Sequence, residues 1–191
     1  DRKHGTAMAS LLIHGDANAP WSPLTSRLYV RPIFRTNIEH EECVPDDVIF
    51  VDLLHRAVKR IMEEDVSKTV KIINLSVGDS SRLFLHSMSP EARMLDWLSF
   101  HYKVLFIVSA GNHPSFLYLN GTYGSFKEKA QKEQMSIIYK HLQADKRNRT
   151  LLAPAESVNC LTVGALHADM SNPCVMDGRI NPIPSLMPAT Y

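Results

Sequence analysis

Three short stretches of this chain combine residue types and spacing that could act on a carbonyl group. His4 stands ahead of Gly5-Thr6-Ala7-Met8-Ala9-Ser10, so its imidazole would project from the start of a closely packing, small-residue helix. Histidine is the side chain most used for proton transfer near neutral pH, and this placement suits a general base. Asn112 closes Ser109-Ala110-Gly111-Asn112, directly after the aliphatic run Val104-Leu105-Phe106-Ile107-Val108. An asparagine just beyond a strand can aim its amide into a cleft, where the N–H groups could hold a developing oxyanion. Ser76-Val77-Gly78 and Ser109-Ala110-Gly111 share a second property: small residues and a glycine at a strand end let another backbone come close. An extended peptide could pair with such edges as an added strand. Taken singly, each feature has an ordinary explanation, since the glycines could serve only tight turns and the chain has nine histidines.

Other chemistries find less support. Lys and Arg number 21 against 20 Asp and Glu, and a net charge of +1 gives no electrostatic case for nucleic acid. Cys43, Cys160 and Cys174 are odd in number, widely spaced and in no Cys-x-x-Cys pair, which argues against a disulfide framework and a zinc cluster and for buried free thiols. No dense cage of oxygen ligands marks a metal site, and neither a Gly-x-Gly-x-x-Gly turn nor a phosphate loop marks a nucleotide, so no metal and no cofactor is expected. No run approaches the roughly 18 apolar residues of a membrane span. The free thiols lean toward a reducing, bacterial cytoplasmic setting, and the sequons at Asn120 and Asn148 lean the other way. Oligomeric state leaves no trace in the sequence.

The elements that must position these groups follow from periodicity. With 191 residues, 45% of them hydrophobic, the chain can bury one sizeable core and is expected to form one domain. Ala7, Met8, Leu11 and Leu12 recur at helical spacing and Gly15 stands at the C-cap, predicting a buried helix with His4 at its start. Residues 28–34 predict a strand weakened by Pro32. Pro45-Asp46-Asp47 is expected to open a helix with Val51, Leu54, Val58 and Ile61 on one face and Arg56, Lys59, Arg60 and Glu63 on the other. Val70, Ile72, Ile73, Leu75 and Val77 predict a strand covered on both faces. Ser89-Pro90-Glu91 is a helix start ahead of Met94, Leu95, Leu98 and Tyr102. Residues 104–108 and 160–166 are further buried strands, and the alternation of strand and helix predicts a parallel sheet. Between them, residues 113–150 look like an insertion, with a Ser125/Glu128 capping box and a charged helix over 127–149 of net charge +4, read as a solvated face. The four prolines after residue 171 predict an irregular tail.

The combination resembles one known family. His4-Gly5-Thr6-Ala7-Met8-Ala9-Ser10 closely resembles the histidine signature of the subtilases, in which His-Gly-Thr opens a small-residue helix. Ile73-Asn74-Leu75-Ser76-Val77-Gly78 resembles that family's substrate-binding strand end, and Val108-Ser109-Ala110-Gly111-Asn112 its oxyanion strand. Ala153-Pro154-Ala155 and the run from Asn159 to Leu166 resemble the segment that follows, so four motifs stand in the family's order. The resemblance implies an α/β, three-layer subtilisin-like fold with a mainly parallel sheet flanked by helices, here a partial peptidase domain incomplete at both ends. It implies a serine endopeptidase using an Asp/His/Ser triad. His4 would be its general base and Asn112 its oxyanion donor, and Ser76, Val77, Gly78, Ser109, Ala110 and Gly111 would wall the pocket for the side chain before the scissile bond. The partner would be a peptide or protein substrate bound as an extended strand, with no nucleic acid and no membrane.

The pattern also departs from the family. Lys3 stands where a glycine usually precedes the histidine, Asp1 is too near His4 to be the triad aspartate, and no Gly-Thr-Ser followed by a small residue and proline occurs. The aspartate and serine are therefore expected outside these residues, and the 191 residues alone are expected to hydrolyse nothing. The alternative is a subtilase-like fold kept as a peptide-binding module without catalysis.

Overall fold

The computed structural model of the chain describes residues 3–16, 20–38, 42–64, 69–113, 115–167, 183 and 187–188. Helix α1 (Lys3–His14) ends where the sequence predicts: Gly15 takes φ +67° and its N–H donates to the Leu11 carbonyl at 2.8 Å. It is not buried, which corrects the sequence reading. No described side chain of α1 is fully covered, and Leu11 is 54% exposed. Helical periodicity prepares an apolar stripe but does not bring a surface to it. The strand predicted over 28–34 is also absent. Pro32 can donate to no ladder, and the nearest pairing is the short antiparallel β1 (Arg35–Thr36) with β2 (Glu42–Cys43).

Helix α2 (Phe50–Glu63) begins later than Pro45-Asp46-Asp47, which form a turn instead, and its N-cap Ile49 offers no side-chain cap. Its stripe is as expected: Leu54, Ala57, Val58 and Ile61 are buried while Arg56, Lys59, Arg60 and Glu63 face water. The chain then runs through β3 (Ile72–Leu75), β4 (Asp79–Leu83), α3 (Pro90–Tyr102), β5 (Leu105–Ser109), α4 (Tyr123–Lys127), α5 (Gln131–Ala144), β6 (Leu152–Ala153), β7 (Leu161–Val163), β8 (Leu166–His167) and β9 (Met187–Pro188).

The expected parallel sheet is present, with β5 between β3 and β7. Leu75 lies opposite Val108, and Val108 opposite Thr162, so one face presents Leu75, Phe106 and Val108 together. These side chains join Leu54 and Val58 of α2 and Leu95 and Leu98 of α3 in one core, with Val104 beneath. Burial of each such side chain is worth roughly 1.5–3 kcal/mol. α3 starts as Ser89-Pro90-Glu91 predicts: the Ser89 hydroxyl accepts from the Ala92 N–H at 3.0 Å. The opposite face differs from expectation. Ile72, Leu105, Leu161 and Val163 share it and are 39–59% exposed, so the described residues cover the sheet with helices on one side.

Residues 113–150 fold as two helices, not one. The reciprocal cap is made by Thr122 and Ser125, three residues before the expected box, and the long helix is interrupted between Lys127 and Gln131. Buried Gln134 bridges the joint, its amide donating to the Phe126 carbonyl at 3.0 Å and to the Lys127 carbonyl at 3.4 Å at the end of α4. The sequence reading foresaw neither β4 nor β6, which pair antiparallel. Most of the predicted irregular tail lies outside the described residues, although Met187–Pro188 pairs with β8. Cys43 and Cys160 are free thiols but only half-buried, and Cys174 lies outside the described residues. No helix among the described residues is long and apolar enough to cross a membrane.

Candidate active site

The two predicted strand ends lie side by side because their strands do. β3 and β5 run parallel with Leu75 opposite Val108, so Ser76-Val77-Gly78 and Ser109-Ala110-Gly111 leave the sheet together at its carboxyl edge. In open parallel sheets ligands bind at that edge. The two exits touch at their glycines: a Cβ on Gly78 would stand 3.2 Å from the Gly111 Cα. Gly111 turns the chain with φ +102°, a conformation that favours glycine.

Hydrogen bonds fix the second exit. The Ala110 N–H donates to the Val163 carbonyl at 2.9 Å, the Ala110 carbonyl accepts from the Leu152 N–H at 3.1 Å, and the Gly111 N–H donates to the Ser109 hydroxyl at 3.2 Å. The first exit is freer. Asn74 donates its amide to the Ser76 hydroxyl at 3.0 Å, and Val77 packs against the core, yet Ser76, Val77 and Gly78 make no backbone hydrogen bond to any described residue. An open row of N–H and C=O groups at a sheet edge is what an added strand requires.

Asn112 stands immediately beyond Gly111, exposed, and its carboxamide has no hydrogen-bond partner within the described residues. Its neighbours are pinned. The His113 ring nitrogen Nε2 meets the Thr150 carbonyl at 2.9 Å, and Arg149 reaches both the Ser115 carbonyl at 2.8 Å and Asp145 at 2.9 Å. Residues 113–150 therefore leave and return at one place, next to Asn112.

His4 sits at the exposed start of α1, and no hydrogen bond or ion pair joins it to Asn112 or to either strand exit among the described residues. The structure thus brings together six of the eight predicted site residues, with Asn112 beside them, and among the described residues it gives His4 no hydrogen bond or ion pair with that group. Among the described residues no group of three or more His, Cys, Asp and Glu side chains could hold a metal ion.

Sequence reasoning missed the segment over the strand exits. β6 carries Leu152, 1% exposed, whose side chain lies against both glycines. Beyond it, residues 154–160 are tied to α3. Asp96 accepts from the Ser157 hydroxyl and the Asn159 N–H, each at 2.7 Å, and Glu156 accepts from the Ser89 N–H at 2.8 Å. The only trace in the sequence was the Ala153-Pro154-Ala155 motif, which located the segment but not its contacts. A separate cavity of about 510 Å³, lined by Arg82, Met88, Arg93 and Glu156 among others, contains none of the predicted site residues.

A family model described as "Subtilase family" matches residues 1–182. No curated protein and no solved structure matches the chain significantly.

Proposed function

Because the chain belongs to the subtilase family, a family of serine peptidases, we propose that it is the part of an endopeptidase that supplies the general base and the oxyanion donor. The observation that carries this reading is the paired strand exit. An unpaired backbone edge at 76–78, a glycine turn at 111 and an unpartnered carboxamide at Asn112 converge within a few residues.

The chemistry follows from those positions. A substrate laid along Ser76-Val77-Gly78 as an added strand holds its scissile carbonyl next to Asn112. A serine hydroxyl attacks that carbonyl carbon and His4 takes the hydroxyl proton, which it then gives to the departing amine. Asn112 donates a hydrogen bond to the oxygen that becomes negative, and a water molecule later releases the acyl group by the same steps. His4 performs this role only when α1 is docked with its first turn at the strand exits. Asp1 is too near His4 to orient the imidazole and no Gly-Thr-Ser motif of the family occurs in the sequence, so this reading takes the aspartate and the serine from residues outside the 191.

A fluorophosphonate probe tests the reading. The 191-residue chain is expected to remain unlabelled, and the protein extended by its flanking coding sequence is expected to be labelled on one serine, with His4→Ala abolishing the reaction. Labelling of the 191-residue chain would overturn the placement of the serine. Failure to label the extended protein would favour a peptide-binding module, the reading that His4, exposed at the start of α1, supports.

A further inference from the structure

The near-zero charge of the chain hides a separation. Residues 127–149 carry a net +4 although the whole chain carries +1, which leaves −3 on everything else. A face that serves only solubility mixes both signs. Here two of the three acids in the segment are already engaged. Glu133 pairs with Lys129, and Asp145 accepts from Asn148 at 2.7 Å and from Arg149 at 2.9 Å. Lys127, Lys132, Lys140, Lys146 and Arg147 are exposed and form no ion pair among the described residues, against one carboxylate in the same condition, Glu128. Gln134 and Ile138 mark the buried side of α5, and the helical period puts Lys132 and Lys140 on the opposite side, toward water.

This basic face is tied to the strand exits. Its last turn, Lys146–Asn148, runs into Arg149, whose guanidinium holds the Ser115 carbonyl at 2.8 Å, and then into Thr150, whose carbonyl meets His113 at 2.9 Å. Just past that pin stand Phe116 and Tyr118, 80% and 82% exposed, with ring centroids 6.5 Å apart. Rigid rings left uncovered beside a charged face offer contact area at little entropic cost. Single exposed ion pairs are weak, but several cations without counter-charges act together as one field.

We propose that the basic face of α5 and the turn 146–148, with Phe116 and Tyr118 at its edge, is a docking surface for an acidic segment of a polypeptide. The choice of a polypeptide over another polyanion rests on the endopeptidase reading of the adjoining strand exits, which take an extended peptide. Carboxylates of the docked segment supply the counter-charges that the five cations lack, and the two rings receive its apolar side chains. The same field draws acidic partners toward the strand exits before contact.

The test uses the extended protein carrying His4→Ala, so that a bound peptide is not cut, and a fluorescein-labelled peptide of alternating Glu, Gly and Tyr read by anisotropy. A peptide with Gln in place of Glu is the control. The Glu peptide is expected to bind at least about tenfold more tightly, and to lose that advantage as salt rises from about 0.1 M to about 1 M and the screening length falls from about 10 Å to about 3 Å. Lys146→Glu with Arg147→Glu is expected to weaken it at least about tenfold, and Phe116→Ser with Tyr118→Ser at least about threefold. Lys59→Glu with Lys71→Glu, the same charge change at exposed lysines on α2 and before β3, should leave it within about twofold. Equal binding of the Glu and Gln peptides, unchanged affinity in either of the first two variants, or tighter binding of single-stranded DNA or phosphatidylserine vesicles overturns the proposal. None of these readouts needs catalysis. Binding as expected in a protein that fluorophosphonate fails to label upholds the docking surface and overturns the endopeptidase reading alone.

Discussion

Asn112 has no structural task among the described residues: it is exposed and its carboxamide binds nothing. Its replacement therefore separates chemistry from folding. If Asn112 has the proposed role, Asn112→Ala lowers kcat of the extended protein by about 10²–10³-fold, roughly 2.7–4 kcal/mol, a magnitude borrowed from the oxyanion-hole asparagine of subtilisin itself, a member of this family. KM and melting temperature should hardly move, and a matching rise in KM would show ordinary binding instead. Gly111 is the opposite case. An alanine there takes a left-handed conformation, costing roughly 1–3 kcal/mol, and its Cβ also strikes the buried Leu152. Gly124, inside α4 with nothing within 4 Å of a new Cβ, should instead gain about 0.5–1 kcal/mol as alanine. Urea denaturation of the two variants reads both signs. At Cys160 burial pushes the thiol up, opposed by the Ser157 hydroxyl and aided by the Asp96 carboxylate. The folded state holds this proton more tightly than the unfolded state. That contribution to stability is complete below the unfolded thiol's pKa and is lost as pH rises through the raised folded value. Iodoacetamide at pH 8 should accordingly alkylate Cys160 more slowly in the native protein than in urea, as mass spectrometry of the Cys160 peptide would show.

Helices α1 and α3 have similar apolar content and opposite fates, which is testable by truncation. Leu98 of α3 is fully covered by the sheet and α2, so Leu98→Ala should cost about 2–5 kcal/mol. Leu11 of α1 is more than half exposed, and Leu11→Ala in the 191-residue chain should stay within about 0.5 kcal/mol. A large loss at Leu11, measured by urea denaturation, would mean that α1 is docked in solution. The contrast also shows what a sequence can disclose. The stripe Leu54, Val58 and Ile61, the Ser89-Pro90 start and the aliphatic strands were legible because each is a local pattern with a fixed period or cap. The strand β4 was not, because Asp79-Ser80-Ser81-Arg82-Leu83 has no alternation and is ordered by β6, which arrives only after residues 113–150. Likewise Thr122 took the capping role from Ser125/Glu128 because either hydroxyl can make the same reciprocal bonds, and pattern alone does not rank them. In the site, the glycine-bearing strand exits were visible as motifs. Leu152 was not, since its importance lies in touching Gly78 and Gly111 across the fold.

Both faces of a parallel sheet flanked by crossover helices are normally covered, and here the described residues cover one. Ile107 lies opposite Leu161 and Ser109 opposite Val163, so Ile72, Leu105, Leu161 and Val163 form a continuous apolar row on the face away from α2 and α3. Single exposed leucines are unremarkable, but a contiguous apolar row of this kind is uncommon on the surface of a monomer. Its openness predicts two measurable properties of the 191-residue chain. It should bind the dye ANS in its folded state, with the fluorescence lost on unfolding rather than gained. The double substitution Leu105→Lys with Leu161→Lys should remove most of that fluorescence and change the unfolding free energy by no more than about 1 kcal/mol, since surface changes usually stay within about 0.5 kcal/mol each. Burying two lysines beneath a covering layer would instead cost several kcal/mol and unfold a marginally stable domain. A double variant that fails to fold, beside a wild-type protein that ignores the dye, would therefore place a layer over this face.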